Sequence, residues 1–150
     1  MQIHNQQGVP VRGALLRRAA ERALRHLGAA RAELSLALVD DAAIRALNRR
    51  YRRQDRATDV LAFPQDGAVA RCLGGPPPLL GDVVISVETA VRRVGSAPRR
   101  LHAELGRYTF HGLLHLLGWD HHAPAERRRM RQQEQQVWRV AWDNGDSGGA

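Results

Sequence analysis

The chain has 150 residues, a length typical of a single domain with its own hydrophobic core. Its formal charge of +8 favours a polyanionic partner such as nucleic acid, but all 23 lysine-or-arginine positions are arginine, so the coding bias of a GC-rich genome is a second source of this charge. The single cysteine, Cys72, excludes a disulfide within the chain, and the lack of a signal-like or membrane-length apolar segment predicts a cytoplasmic protein.

The first part of the chain predicts two strands separated by a helix. Residues 2–4 are expected to form a short edge strand. Residues 11–27 place apolar side chains on one helical face between arginines, and Gly28 is expected to end that helix. Residues 34–39 alternate in polarity as a second strand does.

The middle of the chain predicts a second helix and two core strands. Asp40 or Asp41 is placed to cap the helix at its start. Residues 58–63 are a β-prone run ended by Pro64, and residues 82–87 form another apolar run. We expect both runs to be core strands.

Two helices are predicted in the last third of the chain. The first begins near Pro98 and ends at Gly118, and the second covers residues 124–142. The side chains expected on the buried side of the second helix are Met130, Val137, Val140 and Ala141. The predicted fold class is α+β, a mixed α/β arrangement in which a small mixed sheet is covered by helices.

The segment HGLLHLLGWDH, residues 111–121, carries the clearest chemical signal. His111 and His115 lie four residues apart on a helix and therefore project from the same face. Gly118 allows the chain to leave the helix and turn back, so that His121 can supply a third nitrogen. Three histidines with an open fourth position are typical of a catalytic zinc site, where bound water ionises near neutral pH. We therefore predict one zinc ion, in a zincin-like site at the C-terminal end of a helix.

The spacing of these histidines also matches the ligand frame of metzincin metallopeptidases, but one residue differs. Where those enzymes have a glutamate that acts as general base, this chain has Gly112. Peptide hydrolysis by that route therefore lacks its base. Outside the pattern, His102 and His122 are expected to be ordinary core or surface residues.

Three segments together are similar to the bacterial YbeY endoribonucleases, also called rRNA maturation factors. HGLLHLLGWDH resembles the family signature HGxLHLxGYDH, with Trp119 in place of tyrosine. YRRQDRATDVLAFP at 51–64 resembles YRxxDxxTDVLSFP, with Ala62 in place of serine, and LLGDVVIS at 79–86 resembles LGDIVIS. The resemblance covers most of the chain and leaves the predicted ligands unchanged.

The resemblance implies a single-strand-specific, zinc-dependent endoribonuclease that matures the 3′ end of 16S rRNA and takes part in ribosome quality control. It implies zinc ligands at His111, His115 and His121, and catalytic roles for His115 and Arg52. A guanidinium fits that role because its planar fork of donors suits phosphate oxygens. Implied partners are rRNA in the small ribosomal subunit, a small-subunit ribosomal protein and an assembly GTPase.

Further residues are weaker candidates for a place near this site. Asp82 and Asp120 are candidates for orienting a ligand or a water molecule, although each is equally explained as a turn residue. The arginines that are candidates for RNA contact are Arg49, Arg50, Arg53 and Arg56, together with those in residues 127–131.

Two alternative functions stay open at the level of sequence. One is a metallopeptidase with an unconventional base, for which restoring glutamate at Gly112 is a discriminating change. The other is a ribosome-assembly factor that acts by binding, with a structural zinc. Residues 1–143 are expected to form a single zinc-dependent hydrolase domain, followed by a flexible tail at residues 144–150.

Overall fold

A computed structural model describes residues 1–65, 79–119 and 122–143. The strands are β1 (Gln2–Asn5), β2 (Glu33–Val39), β3 (Val60–Pro64) and β4 (Leu79–Ser86). The helices in these ranges are α1 (Gly13–His26), α2 (Asp41–Arg52), α3 (Val87–Val94), α4 (Pro98–Leu116) and α5 (Pro124–Trp138), followed by a π-helical turn, Arg139–Asp143. None of the described helices is both long and apolar enough to cross a membrane.

The four strands form one mixed sheet in the order β1-β2-β4-β3. The pairs β1–β2 and β2–β4 are parallel, while β3 runs antiparallel to β4. The predicted α+β class with a small mixed sheet is therefore confirmed. The strand predicted at residues 58–63 is present as β3 with Leu61 and Ala62 buried, but it begins at Val60 and lies at the edge of the sheet.

The helices bury the two faces of the sheet unequally. One face packs against α1 and α4 in the main hydrophobic core. The other face packs against α2 in a smaller cluster of Val39, Ile44, Leu61 and Val84. Since side chains alternate along a strand, neighbouring residues of β3 and β4 face different helices.

Helix α4 approaches the sheet and the C-terminal segment closely at two glycines. A Cβ atom at Gly112 would lie 2.6 Å from Cγ1 of Val83, and one at Gly106 would lie 2.7 Å from the Trp142 ring. Both distances are shorter than any van der Waals contact. These positions therefore set how near α4 lies to β4 on one side and to the π-helical turn on the other.

Several predicted helix ends are confirmed. Gly28 follows α1 with a positive φ of 76°, and the Asp40 side chain caps α2 by accepting a hydrogen bond from the Ala43 amide at 2.9 Å. Helix α3, in contrast, is not predicted by the sequence pattern. Its first residue, Val87, continues the apolar run of β4, which conceals the capping hydrogen bond from the Thr89 amide to Ser86 Oγ.

The last helix also departs from its prediction. Its α-helical part ends at Trp138, and the π-helical turn follows. Met130, Val137 and Ala141 are buried as predicted, whereas Val140 is 38% exposed, so the prediction that it faces the core is wrong. The wider π-helical turn brings Ala141, four positions after Val137, to the core in place of Val140, which lies three positions after it.

Candidate active site

A cleft of about 600 Å³ opens between the C-terminal end of α4, strand β3 and the C-terminal end of α2. His111 and His115 line it from α4, and Arg52 lines it from α2. Its other described lining residues include Asn48, Gln54, Thr58, Asp59, Gly112, Trp119 and His122. The structure thus brings together the predicted metal ligands that it describes and the arginine predicted from the family resemblance.

The two histidines of α4 direct one nitrogen each toward a common point. Nε2 of His111 and Nε2 of His115 are 3.1 Å apart, and the ring centroids are 4.7 Å apart. Two imidazole nitrogens bound to one tetrahedral zinc ion are about 3.3 Å apart, given zinc–nitrogen bonds of 2.0–2.1 Å. The pair therefore fits two ligands of a single zinc ion. The third predicted ligand, His121, and Asp120 lie outside the described residues.

Glu134 of α5 contacts the far side of His111, and sequence reasoning did not find it. Its Oε1 lies 2.5 Å from Nδ1 of His111, and both side chains are about one-third exposed. With the proton on Nδ1 donated to this carboxylate, the lone pair of Nε2 is left to face the cleft. The two residues are 23 positions apart in sequence, so only the packing of α5 against α4 brings them together.

Gly118 ends the histidine helix as predicted. Its φ is 94°, its amide donates to His115 O at 3.0 Å, and the Trp119 amide donates to Leu114 O at 2.9 Å. These two hydrogen bonds form a Schellman motif, which turns the chain back after the last helical turn. The chain thus leaves α4 beside the cleft, with Trp119 among its lining residues.

Arg52 is held at the cleft by the exposed edge of the sheet. One of its guanidinium nitrogens, Nη2, donates to Ala62 O at 3.0 Å. Because β3 is an edge strand, its outer carbonyl groups are available to a side chain instead of a neighbouring strand. The remaining guanidinium donors are left for another acceptor in the cleft.

The other candidate arginines of this segment lie around the C-terminal end of α2 and are all exposed. The Arg50 guanidinium lies 5.2 Å from the centroid of the exposed Tyr51 ring, and Arg53 caps α2 in a left-handed conformation with φ 57°. Nε of Arg56 donates to Gln54 Oε1 at 3.2 Å. Among the described residues, Arg52 is the arginine that lines the cleft.

Asp59 is fixed at the wall of the cleft by three protein groups. Its carboxylate accepts hydrogen bonds from the Val60 amide at 2.7 Å, from Arg93 at 2.7 Å and from the Thr58 hydroxyl at 3.3 Å. Arg93 also donates to the hydroxyl of Tyr108 at 3.0 Å. Burial of the Tyr108 phenol raises its pKa to about 12, so this phenol stays a neutral member of the network at neutral pH. Asp59 therefore anchors the start of β3 to α3 and α4.

The structure does not bring Asp82 to the histidines. Asp82 is an exposed residue of β4, next to Val83, which contacts Gly112 of α4. Alternation along the strand therefore puts the Asp82 side chain on the opposite face of the sheet. Contrary to the expectation from sequence, Asp82 is therefore not placed to orient a ligand or a water molecule at the histidines.

The remaining histidine of α4 has a structural environment. His102 is 5% exposed, its Nε2 accepts the Arg12 amide at 2.8 Å, and its Nδ1 lies 2.6 Å from Pro98 O. Both ring nitrogens are thus engaged by the backbone, so His102 is a core residue, as expected. His122, in contrast, is exposed and lines the cleft, which its sequence position did not suggest.

Comparison with known proteins assigns the family. Residues 2–141 match the profile of the family described as Endoribonuclease YbeY. A relative of that name from Anaeromyxobacter sp. (strain Fw109-5) is 53% identical over 128 residues, which cover 83% of this chain and 62% of the relative. Another, from Pelotomaculum thermopropionicum, is 44% identical over 124 residues, or 82% of each protein.

The same fold occurs in a solved structure. The solution structure of TM1509 from Thermotoga maritima aligns with a TM-score of 0.56 and 22% identity, over 100% of this chain and 99% of that one. The aligned part of this chain spans 62% of the length of its Anaeromyxobacter relatives. Because the family profile covers nearly the whole chain, and the two signature histidines that the structure describes line one cleft with Arg52, the chain belongs to the YbeY family.

Proposed function

We propose that the chain is a zinc-dependent endoribonuclease that cuts single-stranded ribosomal RNA during maturation of the small subunit. The observation that carries the proposal is that His111, His115 and Arg52 line one cleft, where the proposed metal ligands and a guanidinium suited to phosphate would share the same substrate. Membership of a family whose relatives are named endoribonucleases supports the reaction class.

The proposed ligands are His111, His115 and His121. Zinc held by these residues would supply a Lewis acid that activates water or polarises the phosphate. Glu134 keeps the proton of His111 on Nδ1, so that the unprotonated Nε2 can offer its lone pair to the metal. Arg52, tethered to β3, binds a non-bridging phosphate oxygen and stabilises the charge that grows there as the phosphodiester is attacked.

The packing of Gly112 disfavours the glutamate base of the metzincin route, although it does not bear on a peptidase that uses another base. A side chain at this position would meet Val83 at its first carbon, so the helix has no room for a glutamate base there. A Gly112→Glu variant consequently tests packing, and it does not discriminate between peptide and RNA hydrolysis. The proposed partners are rRNA of the small subunit, a small-subunit ribosomal protein and an assembly GTPase, and the proposed compartment is the cytoplasm.

The experiment pairs metal analysis with RNA cleavage in nuclease-free preparations. Wild type is compared with His115→Ala and Arg52→Ala, and with the matched controls His26→Ala and Arg99→Ala, whose side chains are exposed and outside the lining of this cleft. We expect about one zinc per wild-type chain. His115→Ala should lose both metal and cleavage, while Arg52→Ala should lose cleavage and keep the metal.

Cleavage that persists equally in all variants would identify a contaminating nuclease and reject the proposal. A ribosome-assembly factor that acts by binding would then be the better description, provided that wild type still holds zinc.

A further inference from the structure

A second cleft, here called the arginine cleft, lies between α4 and α5 and has a volume of about 450 Å³. Its described lining residues are Arg107, Phe110, Arg131, Glu134, Gln135, Trp138, Arg139 and Asp143. The volume is in the range of small-ligand sites in proteins. Three guanidinium groups beside aromatic rings give the cleft the chemistry of a nucleic-acid contact.

The arginines of this cleft differ in how they are held. The Arg107 guanidinium lies 4.9 Å from the Trp138 ring centroid and pairs with Glu104 at 3.4 Å. Arg131 and Arg139 are exposed, and among the described residues their guanidinium groups have neither an ion pair nor a hydrogen bond. Arg131 lies within α5 and Arg139 is the first residue of the π-helical turn, and both line the arginine cleft.

One hydrogen-bonded pair separates the two clefts. His111 lines the cleft that it shares with His115 and Arg52, here called the histidine cleft, while Glu134 lines the arginine cleft, and the two side chains are joined at 2.5 Å. Arg52 therefore lies on one side of the histidines, and Arg131 and Arg139 lie on the other. Because an endonuclease cuts within a strand, its substrate must continue on both sides of the cleaved bond.

We infer that the arginine cleft binds the phosphate backbone of the RNA strand that flanks the cleavage site, through Arg131 and Arg139. This inference rests on the proposed function and adds a second contact region to it. Two carboxylates, Glu134 and Asp143, also line this cleft, and the three arginines outnumber them.

The test measures binding of single-stranded RNA by fluorescence anisotropy. The full chain carries His115→Ala, so that bound RNA is not cut, and a double change, Arg131→Ala with Arg139→Ala, is added. The matched control is Arg99→Ala with Arg100→Ala, two exposed arginines at the other end of α4. A dinucleotide, short enough for the histidine cleft alone, is compared with longer strands over a range of salt concentrations.

When Arg131 and Arg139 are present, we expect longer strands to bind more tightly than the dinucleotide. The double variant should lose that gain in affinity. Its slope of log K against log salt should become shallower by about 1.4, because each of the two lost phosphate contacts on a single strand contributes about 0.7. An unchanged length gain and salt slope, equal to those of the control, would overturn the inference. Cleavage by the wild-type chain is measured separately and decides the proposed function, so the two can fail independently.

Discussion

At the scale of single residues, Glu134 determines how His111 presents its nitrogen to the cleft. A carboxylate that accepts the Nδ1 proton fixes the tautomer and orientation of a ligand histidine and raises its basicity. Since the contact joins α5 to α4, the proposed metal site depends on a residue from a helix that supplies none of the proposed ligands.

Glu134→Gln is therefore expected to weaken zinc binding by roughly 10–100-fold, because a neutral amide accepts the same hydrogen bond with less charge. The dissociation constant is measured by competition with a chromophoric chelator. Glu104→Gln is the matched control, since Glu104 is also partly buried and contacts Arg107 instead of a histidine. Equal zinc affinities of the two variants would mean that Glu134 does not act on zinc binding through His111.

Gly112 gives the second prediction at this scale. Gly112→Ala should destabilise the fold by about 1–3 kcal/mol, because the new methyl group overlaps Val83 and forces α4 away from β4. The control is Gly13→Ala in the first turn of α1, where the nearest atoms belong to Ile3 and are 3.8 Å away. Urea unfolding of the two variants should show a loss for the first and no loss for the second.

At the scale of elements, Asp41 joins the start of α2 to the start of α3. Its Oδ1 accepts hydrogen bonds from Ser86 Oγ at 2.6 Å and Thr89 Oγ1 at 2.8 Å, and its Oδ2 pairs with Arg92. Burial opposes ionisation of this carboxyl group, but the hydrogen bonds from Arg92, Ser86 and Thr89 together outweigh it and lower the pKa below 3.8. The ionised form is therefore the one that holds the two helices together.

A carboxyl group whose pKa is lower in the folded state stabilises the fold above its ordinary pKa and loses that effect as the pH falls through its folded value. Asp41→Asn should accordingly reduce the free energy of unfolding by about 1–2 kcal/mol at neutral pH, and by progressively less below pH 4. Asp55→Asn breaks an exposed pair with Arg45 and should have a much smaller effect. A deficit of Asp41→Asn that stays constant with pH would show that the charge of Asp41 is not its cause.

At the scale of the whole molecule, the π-helical turn closes the main core. Ala141 is fully buried, its carbonyl accepts a hydrogen bond from Arg22 at 2.8 Å, and Trp142 packs over Gly106 and stacks on Trp138 with ring centroids 5.1 Å apart. The turn therefore connects α1, α4 and α5.

The predicted domain boundary at residue 143 can be tested by truncation. Removing residues 139–150 deletes a buried alanine and a packed tryptophan, so it should cost roughly 3 kcal/mol or more and lower Tm by about 6–12 °C. Removing only residues 144–150 should leave Tm within about 2 °C if that segment is the flexible tail that the sequence predicts. A comparable loss in both truncations would place the boundary of the domain beyond residue 143.

The features that the sequence predicts well are those set by neighbours along the chain. The spacing of His111 and His115, the stop at Gly118 and the cap at Asp40 follow from helix geometry and side-chain chemistry within one or two turns. The features that it misses depend on distant contacts. The edge position of β3, the approach of Glu134 to His111 and the exposure of Val140 each follow from tertiary packing or from an irregular turn, which local patterns do not encode.

The burial of α4 has a consequence for amide hydrogen exchange. Most residues from Leu105 to Leu116 are buried between the sheet and the C-terminal segment, and His111 and His115 sit within that stretch. Their amides should exchange only when the whole molecule unfolds, at the slowest rates in the chain. The two histidines are then held in place before any ion or strand arrives, and the substrate must adapt its shape to them.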